Sequence, residues 1–208
     1  MQTPRQLIQP VTNPTILTVG YSTHEWPEFL ALLRGASVTA IADVRSHPQA
    51  RLPQYRREHL EPALKREGIA YVFLGDYLGA RRVESECYLD DRADYGLVAK
   101  LPAFREGIER LEKGAAEYRI ALLCAEKEPL DCHRGVLICR TLLEEGWEVG
   151  HLLADGAIEP HAETEDRMID WMGVDPLLDA ATPREELLKR AYHERGLEVS
   201  YHRPASDE

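Results

Sequence analysis

"YRIALLCAEKEPLDCHRGVLICRTLLEEG" (residues 118–146) decides the fold. Residues 118–125 are the most apolar short run of the chain and read as a strand buried on both faces. A polar crossing follows, and "RGVLICRTLLEEG" (134–146) reads as a helix stopped at Gly146. The same unit recurs outward in both directions. "TILTVG" (15–20) leads into the helical spacing of "WPEFLALLRG" (26–35), with Pro27 near its start. "VTAIADV" (38–44) leads into "YRREHLEPALKREG" (55–68), where Pro62 is expected to bend or restart the helix. "IAYVFLG" (69–75) is followed by a polar stretch and then by "LPAFREGIERLEKG" (101–114), and "WEVGHLLA" (147–154) is the last strand.

Five strands alternating with four helices specify a three-layer Rossmann-like α/β sandwich with a mostly parallel sheet. The expected strand order is 3-2-1-4-5, with ligands settling beyond the carboxyl ends of the strands. Residues 1–14, with Pro4, Pro10 and Pro14, read as a loose leader, and 15–157 as the α/β domain. Residues 158–208 read as a helical extension packed on the same domain, with helical patterns at 165–173 and 183–196 joined through Pro176 and a late strand or arm at 197–204.

The composition, 44% apolar and 29% charged, is that of a soluble globular chain. No apolar run approaches the roughly 18 to 20 residues of a membrane span, and a basic-then-apolar secretion signal is missing, so the cytoplasm is the expected compartment. Cys87, Cys124, Cys132 and Cys139 are then expected as reduced thiols. A net charge of -11 disfavours binding nucleic acid through the whole surface. Residues 45–66, however, carry a local +4, and nucleic acid is an expected partner there.

The chemistry-bearing residues fall at the strand ends. Cys132, entering a helix, has the position of an activated thiol, favoured by the helix dipole, His133 and Arg134 and opposed by Asp131. Cys124, closing its strand, is expected in the core. Glu126, just past the strand end, is a candidate general base or nucleophile, with a salt bridge to Arg134 or Arg45 as its structural alternative. Asp43 is expected either to fix a sugar hydroxyl or to orient Arg45, and Arg45 to grip phosphate or carboxylate. His133 and Arg134 are anion-binding candidates, and Asp155 an acid, a base or the closing residue of an Asp-Gly turn. Tyr21, Ser22 and Thr23 are candidate substrate contacts, the two hydroxyls being alternatively helix N-caps.

Standard motifs do not fit. Leu130 and Ile138 stand where a phosphatase-type loop would carry its arginine after Cys124 and Cys132. Seven residues separate the two cysteines, which weakens a zinc site built on Cys124, Cys132 and His133. "GYSTH" lacks the glycines of a dinucleotide fingerprint, and neither a cofactor nor a metal is required by the sequence.

"VGYSTH", "IADVRSHP", "YVFLGDYLGARR", "LLCAEKEPLDCHRG" and "GHLLADG", in that order, resemble the domain of unknown function 488 family over roughly residues 15–157. The resemblance implies a Rossmann-like sandwich with these motifs around one cleft, and it carries no established reaction. Thr23 and His24 stand where family members often have Asn then Arg. The expectation is an enzyme that hydrolyses or transfers a group on a nucleotide, nucleoside or nucleic-acid-derived substrate, holding a small phosphorylated ligand at the strand ends. A non-catalytic nucleotide or nucleic-acid binding module and a metalloprotein are the alternatives.

Overall fold

The computed structural model describes residues 15–173 and 181–204. The leader 1–14 and the join at Pro176 lie outside them. In chain order the strands are β1 (Thr15–Gly20), β2 (Ala40–Asp43), β3 (Ala70–Phe73), β4 (Tyr88–Leu89), β5 (Arg92–Ala93), β6 (Ile120–Cys124), β7 (Glu148–Leu152) and β8 (Ile158–Pro160). The helices are α1 (Trp26–Gly35), α2 (Arg57–Arg66), α3 (Gly75–Leu78), α4 (Tyr95–Val98), α5 (Pro102–Ala115), α6 (Arg140–Glu144), α7 (His161–Trp171) and α8 (Arg184–Val199).

The main sheet runs β3-β2-β6-β1-β7-β8, parallel except for β8, and β4 with β5 makes a separate two-stranded ribbon. This corrects the expected order. The strand at 120–124 is not outside β1 but inserted between β1 and β2, and a sixth, antiparallel strand is added at 158–160. The physical reason is burial: all five residues of β6 are buried, and the centre of a covered sheet is where a wholly apolar strand loses the most water. The edges show the converse, β3 being only half-buried and β8 a short, largely exposed strand ending in Pro160.

Alternate side chains of the strands feed two cores. Leu17, Val19, Ile41 and Leu123 pack against Phe29 and Leu33 of α1 and Leu60 and Leu64 of α2. Ile16, Ala42, Leu122 and Val149 face the opposite layer, where Phe104 and Leu111 of α5 meet Leu142 of α6, Met168 of α7 and Tyr192 of α8. The extension therefore shares the domain's core. α2 runs unbroken through Pro62, contrary to expectation. Glu58, whose carbonyl loses its donor to the proline, is exposed and can be satisfied by water. Residues 197–199 end α8, and the segment after it pairs with the β5 region through Ala93 N–H to Tyr201 O (2.9 Å) and Arg203 N–H to Asp91 O (2.7 Å). Among the described residues no helix is long and apolar enough to cross a membrane.

Candidate functional site

The sheet register sets the site. Gly20 lies opposite Cys124 and Asp43 opposite Leu123, so β1, β2 and β6 finish side by side. Immediately beyond, residues 126 and 127 fold back over β1. A Cβ on Gly20 would stand 1.8 Å from the Glu126 carbonyl oxygen, so only glycine admits this crossing. The chain then turns through Pro129–Asp131 and enters a helix whose first stretch, Arg134–Cys139, is wound as a π-helix before α6. A Cβ on Gly135 would stand 2.2 Å from Pro129 O, so the helix start and the turn are in backbone contact. π turns concentrate where a side chain must be placed off the regular helical spacing. Here the π stretch begins at Arg134, with Cys132 and His133 just before it.

Cys124 and Cys132 bring their sulfurs to 2.8 Å, and His133 Nδ1 lies 3.6 Å from the Cys132 sulfur and 4.0 Å from that of Cys124. His133 Nε2 is 3.0 Å from the Val44 carbonyl oxygen. A carbonyl only accepts, so Nε2 carries a proton, and Nδ1 faces the two sulfurs. All three side chains are buried. The Cys132 S–H first, then His133 and Arg134, hold the Cys124 thiol well below its ordinary range. Burial, and then the Cys124 sulfur, push Cys132 well above it. An interacting pair titrates as a unit, and the two directions make Cys124 the more acidic and Cys132 the less acidic member of this one. Cys124 is thus half of the thiol pair rather than a core residue only, because β6 ends where the Cys132 corner returns.

Arg134 is 1% exposed, and among the described residues its guanidinium hydrogen-bonds only uncharged oxygens. Nη1 donates to Glu126 O at 2.8 Å, Nη2 to Lys127 O at 3.0 Å and Nε to Thr18 Oγ1 at 3.4 Å, while its backbone N–H donates to the Cys132 sulfur at 3.4 Å. Among the described residues no carboxylate pairs with this sealed guanidinium, and the Cys132 and Cys124 sulfurs raise its pKa against the burial that lowers it. Asp131 is turned outward, where it pairs with Arg195 of α8. Glu126 meets Arg134 through its backbone, not its side chain. Among the described residues its exposed carboxylate has no hydrogen bond or ion pair, and burial first, then the Cys124 sulfur, raise its pKa.

A second cluster adjoins the thiols. Asp43, with no exposure, takes a bidentate pair from Arg45 (Nε 2.8 Å, Nη2 2.5 Å) and a 2.8 Å hydrogen bond from the Tyr71 hydroxyl. Arg45 also donates to Tyr55 O at 2.9 Å, and its guanidinium lies 5.2 Å from the centre of the Tyr21 ring, which stacks on Tyr55 at 4.3 Å. Tyr21 N–H donates to Cys124 O, which ties the two clusters together. Of the two roles expected for Asp43, the arrangement is the orienting one. Ser22 adopts φ 45° and donates its N–H to Ala125 O, Thr23 is exposed, and the N-cap of α1 is Glu25 rather than either hydroxyl. Asp155 is exposed and accepts from Ala157 N–H at 2.9 Å, closing the β7–β8 turn. Of the basic segment, Arg45 is internal, whereas Arg51, Lys65 and Arg66 are exposed.

Sequence reading missed a buried polar chain behind Arg134. Thr18 Oγ1 is 2.8 Å from His151 Nδ1, His151 Nε2 is 2.7 Å from His161 Nδ1, and His161 Nε2 is 2.7 Å from the Tyr192 hydroxyl, which donates to Glu165 at 2.9 Å. The available signal was a histidine among the apolar residues Val149, Gly150 and Leu152 of β7.

No curated protein and no solved structure matches the chain. The family described as Domain of unknown function DUF488 matches residues 25–141, which holds β2, β6, the thiol pair, His133 and Arg134. With more than half of its length matched, the chain belongs to the DUF488 family.

Proposed function

We propose that this protein is an enzyme of the hydrolytic or group-transfer type whose reacting group is the thiolate shared by Cys124 and Cys132. The observation that carries this reading is the buried Arg134, whose guanidinium has no carboxylate partner among the described residues and whose backbone N–H meets the Cys132 sulfur. The Val44 carbonyl fixes the His133 ring, whose Nδ1 faces the two sulfurs and orients them. The sulfur of Cys124 attacks the electrophilic carbon or phosphorus of the substrate, and the bond to the leaving group breaks. Glu126, its pKa raised, gives the leaving group its proton. Water, deprotonated by the same carboxylate, then releases the second product and restores the thiolate.

A nucleotide-like substrate fits the exposed Arg51, on the loop that follows the carboxyl end of β2, which can steer an anion towards the strand ends, whereas Lys65 and Arg66 close α2 beside the amino end of β3. Arg45 and Arg134 contribute by holding the site's backbone and charge, since their donors are taken up inside the protein. The test is a panel of nucleotides, nucleosides and their esters incubated with Glu126→Gln, in which release is slowed. A covalent adduct on the peptide holding Cys124 supports the reading. Absence of any adduct, with Cys124→Ser turning over like wild type, removes it.

The metal reading also has an observation in its favour, since the two sulfurs and His133 Nδ1 lie within 4.8 Å of one another. Charge weighs against it. A divalent cation with both thiolates is neutral as a group and leaves Arg134 buried without a counter-ion, whereas one shared thiolate balances it. Stoichiometric zinc or iron in the purified protein, lost in Cys132→Ser, would reverse this preference.

A further inference from the structure

The polar chain behind Arg134 has a direction. Glu165 accepts, so the Tyr192 hydroxyl donates to it, and the Tyr192 oxygen must then take its proton from His161 Nε2. A neutral His161 therefore accepts at Nδ1 from His151 Nε2–H, and a neutral His151 accepts at Nδ1 from the Thr18 hydroxyl. Thr18 Oγ1 in turn receives Arg134 Nε–H. Every donor meets one acceptor from the guanidinium to the carboxylate. Thr18, His151, His161 and Tyr192 are all buried. Burial holds both imidazoles neutral, His161 being lowered to about 4 and His151 well below its ordinary value.

These residues come from β1, β7, α7 and α8, and all lie outside the segment matched by the family. We infer that Thr18, His151, His161 and Tyr192 are positioning residues, through which the C-terminal extension holds the Arg134 guanidinium beside the Cys124–Cys132 pair. The inference rests on the thiolate reading of that pair. Its physical content is that proton order is cooperative along the chain. Removing the Tyr192 hydroxyl leaves His161 Nε2–H without an acceptor. The proton then moves to Nδ1, His151 must reverse in the same way, and its new Nδ1–H competes with Arg134 Nε–H for the Thr18 oxygen. A change in α8 thereby reaches the guanidinium across two rings.

The experiment has two readouts on the full chain. Imidazole nitrogen NMR near neutral pH is expected to find His151 and His161 neutral with the proton on Nε2, and to find both reversed in Tyr192→Phe. The rate at which iodoacetamide alkylates Cys124 or Cys132, located by peptide mass, is expected to fall about threefold or more in Tyr192→Phe and to be kept in His161→Gln, whose amide can both accept and donate. Thr18→Val breaks the chain at its other end and is expected to slow alkylation similarly, which covers a Tyr192→Phe protein that fails to fold. A charged ring, or a proton on Nδ1 of either ring in the wild type, overturns the inference, as does an unchanged rate in a folded Tyr192→Phe. Wild-type thiols that resist alkylation while both rings carry Nε2–H overturn the thiolate reading and the inference with it, a result distinct from misordered rings.

Discussion

Arg134 Nη1 and the Glu126 carbonyl oxygen lie 2.8 Å apart, so the cation beside the thiols also fastens the loop that carries the free carboxylate. Arg134→Gln removes the charge and the fork together. We expect a loss of about 3 kcal/mol of stability from the unsatisfied buried carbonyls and the uncompensated thiolate, measured by urea unfolding. Arg134→Lys should fare little better in alkylation rate, because a point charge cannot span Thr18 and two carbonyls at once.

Asp43→Asn keeps the shape of the second cluster and removes its negative charge. Arg45 is then a buried cation facing a neutral amide, and a cost of about 3 to 5 kcal/mol is expected. Tyr71→Phe deletes only one hydroxyl from the same carboxylate and should cost about 1 kcal/mol. Denaturant midpoints that failed to separate the two variants would contradict the assignment of Asp43 as the centre of the cluster.

Stability should fall as pH drops from 6.5 towards 4. The unfolded chain protonates His151 and His161 near 6.5, while burial lowers both in the fold, His161 to about 4. In that window the unfolded state binds more protons, so stability is complete above 6.5 and is lost below it, by about 3 kcal/mol for His161 alone. Unfolding free energies measured across the window should lose much of this slope in His161→Gln.

Gly20→Ala should disturb the site without touching any of its chemical groups. The added methyl meets the Glu126 carbonyl at 1.8 Å, and that oxygen belongs to backbone tied to Arg134. A lowered melting temperature with altered alkylation of Cys124 or Cys132 is the expected pair of results. Gly35→Ala, where nothing lies within 4 Å, serves as the control and should leave alkylation unchanged and the melting temperature not lowered.

The sequence by itself determined the class of the fold, because the apolar runs at 15–20, 118–125 and 147–154 can be buried only as strands between helical layers. It also marked the corner Cys132–Arg134 and the carboxylate Glu126, since strand ends in such a sheet face one side. Only the tertiary structure decided the strand order, which depends on which strand loses most water at the centre, and placed β6 between β1 and β2. That placement brings Cys124 against Cys132 across seven intervening residues, a proximity that no local spacing encodes. It also turns Arg45 and Arg134 inward, where their partners are a carboxylate and backbone carbonyls fixed by chain crossings. The run from Thr18 to Tyr192 joins four elements distant in sequence, and buried hydrogen bonds of that kind exist only once the packing has removed water from every link.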